Sequence, residues 1–185
     1  AIGHYALQLN TGTTNSAMGN YALQSNTSGS NNSAFGSNAL QNNTTANGNT
    51  ALGRSALLAN STGANNIAIG YGALQANTTA DANVAVGTDA MYDNTTGASN
   101  VAVGGAALAN NTTADSNTAV GYQALKDNTT GYSNTAVGRD TLKLNTTGVK
   151  NTAVGLNALD ANVSGGHNVA VGYLALSANT GSYNT

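Results

Sequence analysis

The sequence predicts an all-β chain: a β-solenoid, or β-roll, of eleven 17-residue coils. Three observations carry this. The glycine of an Ala-x-Gly triplet recurs at Gly3, Gly19, Gly36, Gly53, Gly70, Gly87, Gly104, Gly121, Gly138, Gly155 and Gly172, one step of 16 residues followed by nine of 17. A fixed period of this size marks a repeat architecture. Each unit holds two short apolar bursts, and an isolated helix needs roughly 12–15 residues to persist. In Ile67-Ala68-Ile69 and Val84-Ala85-Val86 large residues instead flank a small one, the period-two pattern of a strand. Finally, Asn-Thr-Thr-Gly or a variant of it closes each unit, and Asn and Gly both tolerate the backbone conformations of a tight turn.

Taken in order, residues 1–15 form a coil with a shortened turn, Asn10-Thr11-Gly12. Residues 16–66 carry three looser copies, with Met18, Phe35 and Leu52 in the slot before glycine. Residues 67–108 are the most apolar section and 117–160 the most uniform. Asn162-Val163-Ser164-Gly165 drifts from the common turn, and Asn179-Thr180-Gly181 is short again. No stretch reads as a linker, so residues 1–185 are expected to form a single repeat domain. At about 4.8 Å per coil, eleven coils predict a rod of roughly 50 Å. The chain starts inside a repeat at Ala1-Ile2-Gly3 and ends on Asn184-Thr185, the residues that precede that triplet elsewhere. The two ends are in phase, which predicts a window of a longer array.

Composition narrows the function classes. Five Lys+Arg against seven Asp+Glu give a net charge of −2, with no basic surface to recruit nucleic acid or an anionic membrane. No apolar run approaches the roughly 18–20 residues of a membrane span. There is no Cys, hence no disulfide or thiol chemistry, which fits an extracellular rod. There is no Pro, as a structure that needs nearly every backbone N–H in a ladder requires. His4 and His167 stand at different repeat positions. Asp81 and Asp115 share a column two coils apart, as do Asp93 and Asp127, and Glu is absent. No catalytic pair, metal cluster or cofactor motif emerges, so a non-enzymatic protein without cofactor is expected.

The columns of the repeat define the candidate sites. The slot before glycine (Val120, Val137, Val154) and the leucine column (Leu23, Leu74, Leu125, Leu159, with Met91 once) are expected in the core. The alanine between the large residues then points outward. Ala17, Ala34, Ala51, Ala68, Ala85, Ala102, Ala119, Ala136, Ala153 and Ala170 never vary, and small residues repeated on an outer face predict close approach of an identical chain. The competing reading is a narrow corner inside the coil that excludes anything larger. The alanine before leucine is nearly as constant, with Thr141 the exception.

Asparagine recurs before the first strand (Asn83, Asn100, Asn117, Asn134) and before Thr-Thr. Stacked Asn side chains form ladders between coils and satisfy turn backbones. The second column also opens N-x-[S/T] sequons at Asn26, Asn43, Asn60, Asn77, Asn94, Asn111, Asn128, Asn145 and Asn162, which are candidate glycosylation sites. The Thr pairs raise ice binding. Adjacent residues of an extended segment face opposite ways, so a single Thr per coil joins a flat array.

Asn-Val-Ala-Val-Gly at residues 83–87 and 100–104, with Asn66-Ile67-Ala68-Ile69-Gly70, resembles the head repeat of trimeric autotransporter adhesins, the YadA-like head motif. The Asn-Thr-Thr-Gly portion is similar to repeats of tail-fibre-type bacterial surface proteins. The family's coil is shorter than the 17-residue unit here. The resemblance implies a left-handed β-roll, three chains side by side, a cell-surface location, and binding of host or surface components. The expected function is a structural shaft or head of an extracellular surface fibre or adhesin. The expected partners are identical chains, as a homotrimer or filament, and a host or surface glycan or protein. The alternatives are an ice-binding solenoid and a phage-type tail fibre that binds surface glycans.

Overall fold

A computed structural model describes all residues 1–185 and shows one strand per coil. The strands are β1 (Ser16–Met18), β2 (Ser33–Phe35), β3 (Thr50–Leu52), β4 (Ile67–Ile69), β5 (Val84–Val86), β6 (Val101–Val103), β7 (Thr118–Val120), β8 (Thr135–Val137), β9 (Thr152–Val154) and β10 (Val169–Val171). They stack in sequence order into one ten-stranded parallel sheet. The register places each residue on its counterpart one repeat away, so that Ala102 pairs with Ala119 and Ala119 with Ala136. The first copy joins only through a bridge from Ile2 to Met18. The fold is thus a β-solenoid with the repeat length read from the sequence.

Between strands the coil is closed by turns. In the unit that starts at Gly19, Ala22 N–H donates to Gly19 O, Gln24 N–H to Tyr21 O and Asn26 N–H to Leu23 O, three overlapping four-residue turns. The intervening N–H groups reach the neighbouring coils: Tyr21 to His4 O, Leu23 to Ala39 O, Ser25 to Gln41 O. Such alternation requires left-handed backbone at every second residue. Gln123 (φ 56°) and Leu125 (φ 52°) adopt it, as do their counterparts through the stack. Left-handed conformation is uncommon and costly for a side chain like leucine. Its recurrence in every coil makes it the device that bends the chain, and the buried leucine is held there by packing. The marker glycines serve a second constraint. At Gly121 φ is 134° and a Cβ would lie 2.5 Å from the backbone oxygen of Gly138, so only glycine fits.

The core inverts the expected orientation of the strands. Ala34, Ala51, Ala68, Ala85, Ala102, Ala119, Ala136 and Ala153 have no exposed surface, and Ala17 and Ala170 are nearly as enclosed. They pack with the Ala-Leu pairs, such as Ala124-Leu125, into one continuous cluster. The flanking residues point outward instead: Val120, Val137 and Val154 are 36–37% exposed. The ten alanines are therefore core residues and cannot meet another chain. Their constancy reflects the space between the strand and the Ala-Leu pair, which admits a methyl group and no more. The leucine column is buried as expected, with Met91 filling one of its places. Thr141, the one departure from alanine beside it, is also fully buried, and its hydroxyl donates to Gly155 O at 2.5 Å.

Candidate functional site

Two buried asparagine columns run the length of the coil stack. In the column before Thr-Thr, each Nδ2 donates twice. Asn94 donates to Asn77 Oδ1 at 3.1 Å and to Gly97 O at 2.9 Å, and Asn111 donates in turn to Asn94 Oδ1 at 2.8 Å. In the column before the strands, Oδ1 accepts the backbone N–H of the next coil's asparagine, as Asn100 does from Asn117 at 2.9 Å. Nδ2 there reaches a turn carbonyl, as from Asn100 to Ala114 at 2.8 Å. Each asparagine thus ties its own coil to its neighbours while satisfying a turn. The chain breaks the first column only in its last short turn. Asn179 donates to Gly181 O, and Asn162 Oδ1 is left buried without a donor.

This arrangement decides the sequons. Asn26, Asn43, Asn60, Asn77, Asn94, Asn111, Asn128, Asn145 and Asn162 are all fully buried, with their amide hydrogens already donated. A glycan on any of them has no room in the folded chain, and the candidate glycosylation row is a by-product of the ladder. The Thr pairs divide in the same way. The first Thr is structural: Thr78 donates to Thr95 O at 3.1 Å and Thr129 to Thr146 O at 3.1 Å. The second, such as Thr79, Thr96 or Thr130, is exposed and forms one column.

The outer face of the sheet is a regular surface. One column runs Ser16, Ser33, Thr50, Ile67, Val84, Val101, Thr118, Thr135, Thr152, Val169; the other runs Met18, Phe35, Leu52, Ile69, Val86, Val103, Val120, Val137, Val154, Val171. No residue of either column is charged. Exposure in the second column reaches 48% at Leu52 and 69% at Val171. Ten strands at about 4.8 Å, two side chains wide, give an uncharged stripe on the order of 500 Å², one column wholly apolar and the other mixing Ser and Thr with Val and Ile. Beside it runs a column with Arg54 over Tyr71 and Arg139 over Tyr122, at 6.0 and 5.7 Å from the ring centres.

The titratable residues do not converge. His4 lies against Tyr5 and Tyr21, while His167 stacks on Tyr183 at 4.9 Å in the other end of the stack. Asp81 and Asp115 each accept a backbone N–H from the coil before, of Ala64 and Ala98, both at 2.6 Å. Asp140 pairs with Arg139 and Lys143 at the surface. No three His, Cys, Asp or Glu side chains gather, and no helix is long and apolar enough to cross a membrane. Comparisons with known proteins found no matching family model, no matching curated protein and no matching solved structure.

Proposed function

We propose that the chain is a non-enzymatic structural segment, the shaft or head of an extracellular surface fibre or adhesin, assembled from identical chains as a homotrimer. The observation that carries this reading is the outer face of the sheet. It is an uncharged stripe with one continuous apolar column, Met18 to Val171, that repeats in register over ten strands. Burying such a stripe is favourable at about 25 cal/mol per Å² before the costs of association. Chains packed side by side through this face would bring Val103, Val120 and Val137 together, and the rod's stiffness would follow from the asparagine and backbone ladders. Shape and rigidity are then the function. Extracellular placement draws support from the repeat's likeness to adhesin and tail-fibre repeats.

The test is the mass of the native particle by light scattering. The reading expects three times 18.2 kDa. A stable monomer would overturn it.

A second reading, an ice-binding solenoid, is favoured by the same face. Thr118 with Val120, Thr135 with Val137 and Thr152 with Val154 form two ranks of β-branched side chains on a regular lattice. This replaces the single outward Thr column as the array to consider. A monomer that shows thermal hysteresis would select it.

A further inference from the structure

A regular stack offers every coil the same surface, so a site that occurs once must come from a departure. One departure is Tyr132. The column it belongs to reads Ser30, Asn47, Ala64, Asp81, Ala98, Asp115, Tyr132, Val149, Gly166, and it holds no other aromatic. Where the tall Tyr132 follows the short Asp115, the surface drops into a depression of about 300 Å³ between two coils. Thr113, Asp115 and Ser116 line it from one coil, and Thr130, Tyr132 and Ser133 from the next. That volume is at the lower bound of small-ligand sites.

We propose that this depression binds one unit of a neutral saccharide. Tyr132 is 47% exposed and presents an amphipathic ring to the opening, suited to the C–H face of a sugar. The carboxylate of Asp115 is held in place because Oδ1 accepts the Ala98 N–H at 2.6 Å. Oδ2 is left to accept from sugar hydroxyls in charge-assisted bonds. Thr113, Thr130, Ser116 and Ser133 supply four hydroxyls that both donate and accept. They differ in this from Thr112 and Thr129 beside them, whose hydroxyls are taken up by the ladder. The single charge lining the depression is negative, which disfavours acidic sugars and phosphates. The site lies on the turns that precede β7 and β8 and away from the apolar columns of the sheet, so it does not depend on the fibre reading.

The test is saturation-transfer NMR on the full chain with maltotriose, cellotriose and tri-N-acetylchitotriose, and with sialyllactose as the acidic control. At least one neutral trisaccharide is expected to receive saturation, and sialyllactose none. Tyr132→Val is the decisive variant, because Val149 holds the same position one coil on and the fold accommodates it there. It should weaken binding about tenfold or abolish it, the range expected for loss of an aromatic stacking partner. Asp115→Asn should weaken it too, while Tyr71→Ala, on another column, should not. No saturation of any neutral sugar, or equal binding by Tyr132→Val with its melting temperature unchanged, overturns the site. Particle mass recorded on the same samples reports on the fibre reading separately.

Discussion

Asn49 and Asn60, eleven positions apart in the chain, donate their side-chain amides to the same oxygen, the carbonyl of Gly63, at 2.8 and 2.9 Å. One carbonyl thereby joins the two asparagine columns. The same convergence recurs one coil on, where Asn66 and Asn77 meet at Ala80 O at 2.8 and 3.1 Å. Every coil repeats it in the central stack, so the loss of one asparagine disturbs three coils together.

The first prediction concerns that ladder. Asn94→Ala leaves Asn77 Oδ1 and an Asn111 amide hydrogen unpaired, while Gly97 O keeps its bond from Asn83. Each buried polar group stranded this way costs about 1–3 kcal/mol, so a total of roughly 2–6 kcal/mol is expected in chemical unfolding. Asn94→Asp should be worse at neutral pH, because a carboxylate there faces two acceptors. Burial raises such an acid's folded pKa above its unfolded value. The variant should therefore recover stability as the pH falls, and lose it as the pH rises through the carboxylate range.

Glycosylation gives a second prediction. The chain made in a glycosylating host and purified in its folded form should show the unmodified mass. Asn128, for example, is fully buried and spends its amide on Asn111 Oδ1 and Gly131 O at 2.9 Å each. Intact mass spectrometry decides this, and a folded chain carrying glycan at Asn128 would contradict the ladder.

Inside and outside of the strands should respond oppositely. Ala119→Val forces two methyl groups into a filled interior and should cost about 1–3 kcal/mol. Val120→Thr, one residue on and at the surface, should leave stability within about 0.5 kcal/mol. Replacing Val103, Val120 and Val137 together by Lys should leave a folded coil but reduce the assembled particle to monomers, as read by light scattering.

The two threonines of a pair should also separate. Thr129→Val removes a hydroxyl that donates to Thr146 O and should cost about 0.5–1.5 kcal/mol. Thr130→Val removes an exposed hydroxyl without a bond in the ladder and should change the melting temperature little.

Thr141→Ala should be neutral or stabilising by up to about 1 kcal/mol. The carbonyl it serves, Gly155 O, already accepts the Ala158 N–H at 3.3 Å. Alanine fills the same place in every other complete coil, so differential scanning calorimetry should show no loss.

The period, the coil and the asparagine ladders were legible in the sequence because each depends on spacing alone. The facing of the strands was not. A period of two shows that alternate residues share a side, but it does not say which side is inside. A shift of one residue exchanges the faces completely. Relative size pointed the wrong way, since Val is more apolar than Ala and yet lies outside. The better signal lay in what varied. The column of Val84 and Val101 also contains Ser16, Ser33, Thr118 and Thr135, hydroxyls that a dry core would have to satisfy, while the alanine column never changes. Variation marks the outer positions and constancy the cramped inner one. The saccharide depression left only a faint trace, a lone tyrosine in a column of smaller residues, because depth is set by neighbours 17 positions away.

The bonds by which the two asparagine columns join one coil to the next recur at equivalent places, 17 residues apart, through the central stack. Excising residues 88–104, for instance, would bring Gly87 up to Gly105 and present each ladder with the same partner it had before. Length is therefore free to drift by whole units while the cross-section stays constant. Gain or loss of one unit would move whatever stands at the tip by about 4.8 Å, with no other adjustment to the molecule. Reach is thereby a nearly independent variable, set by the number of units alone.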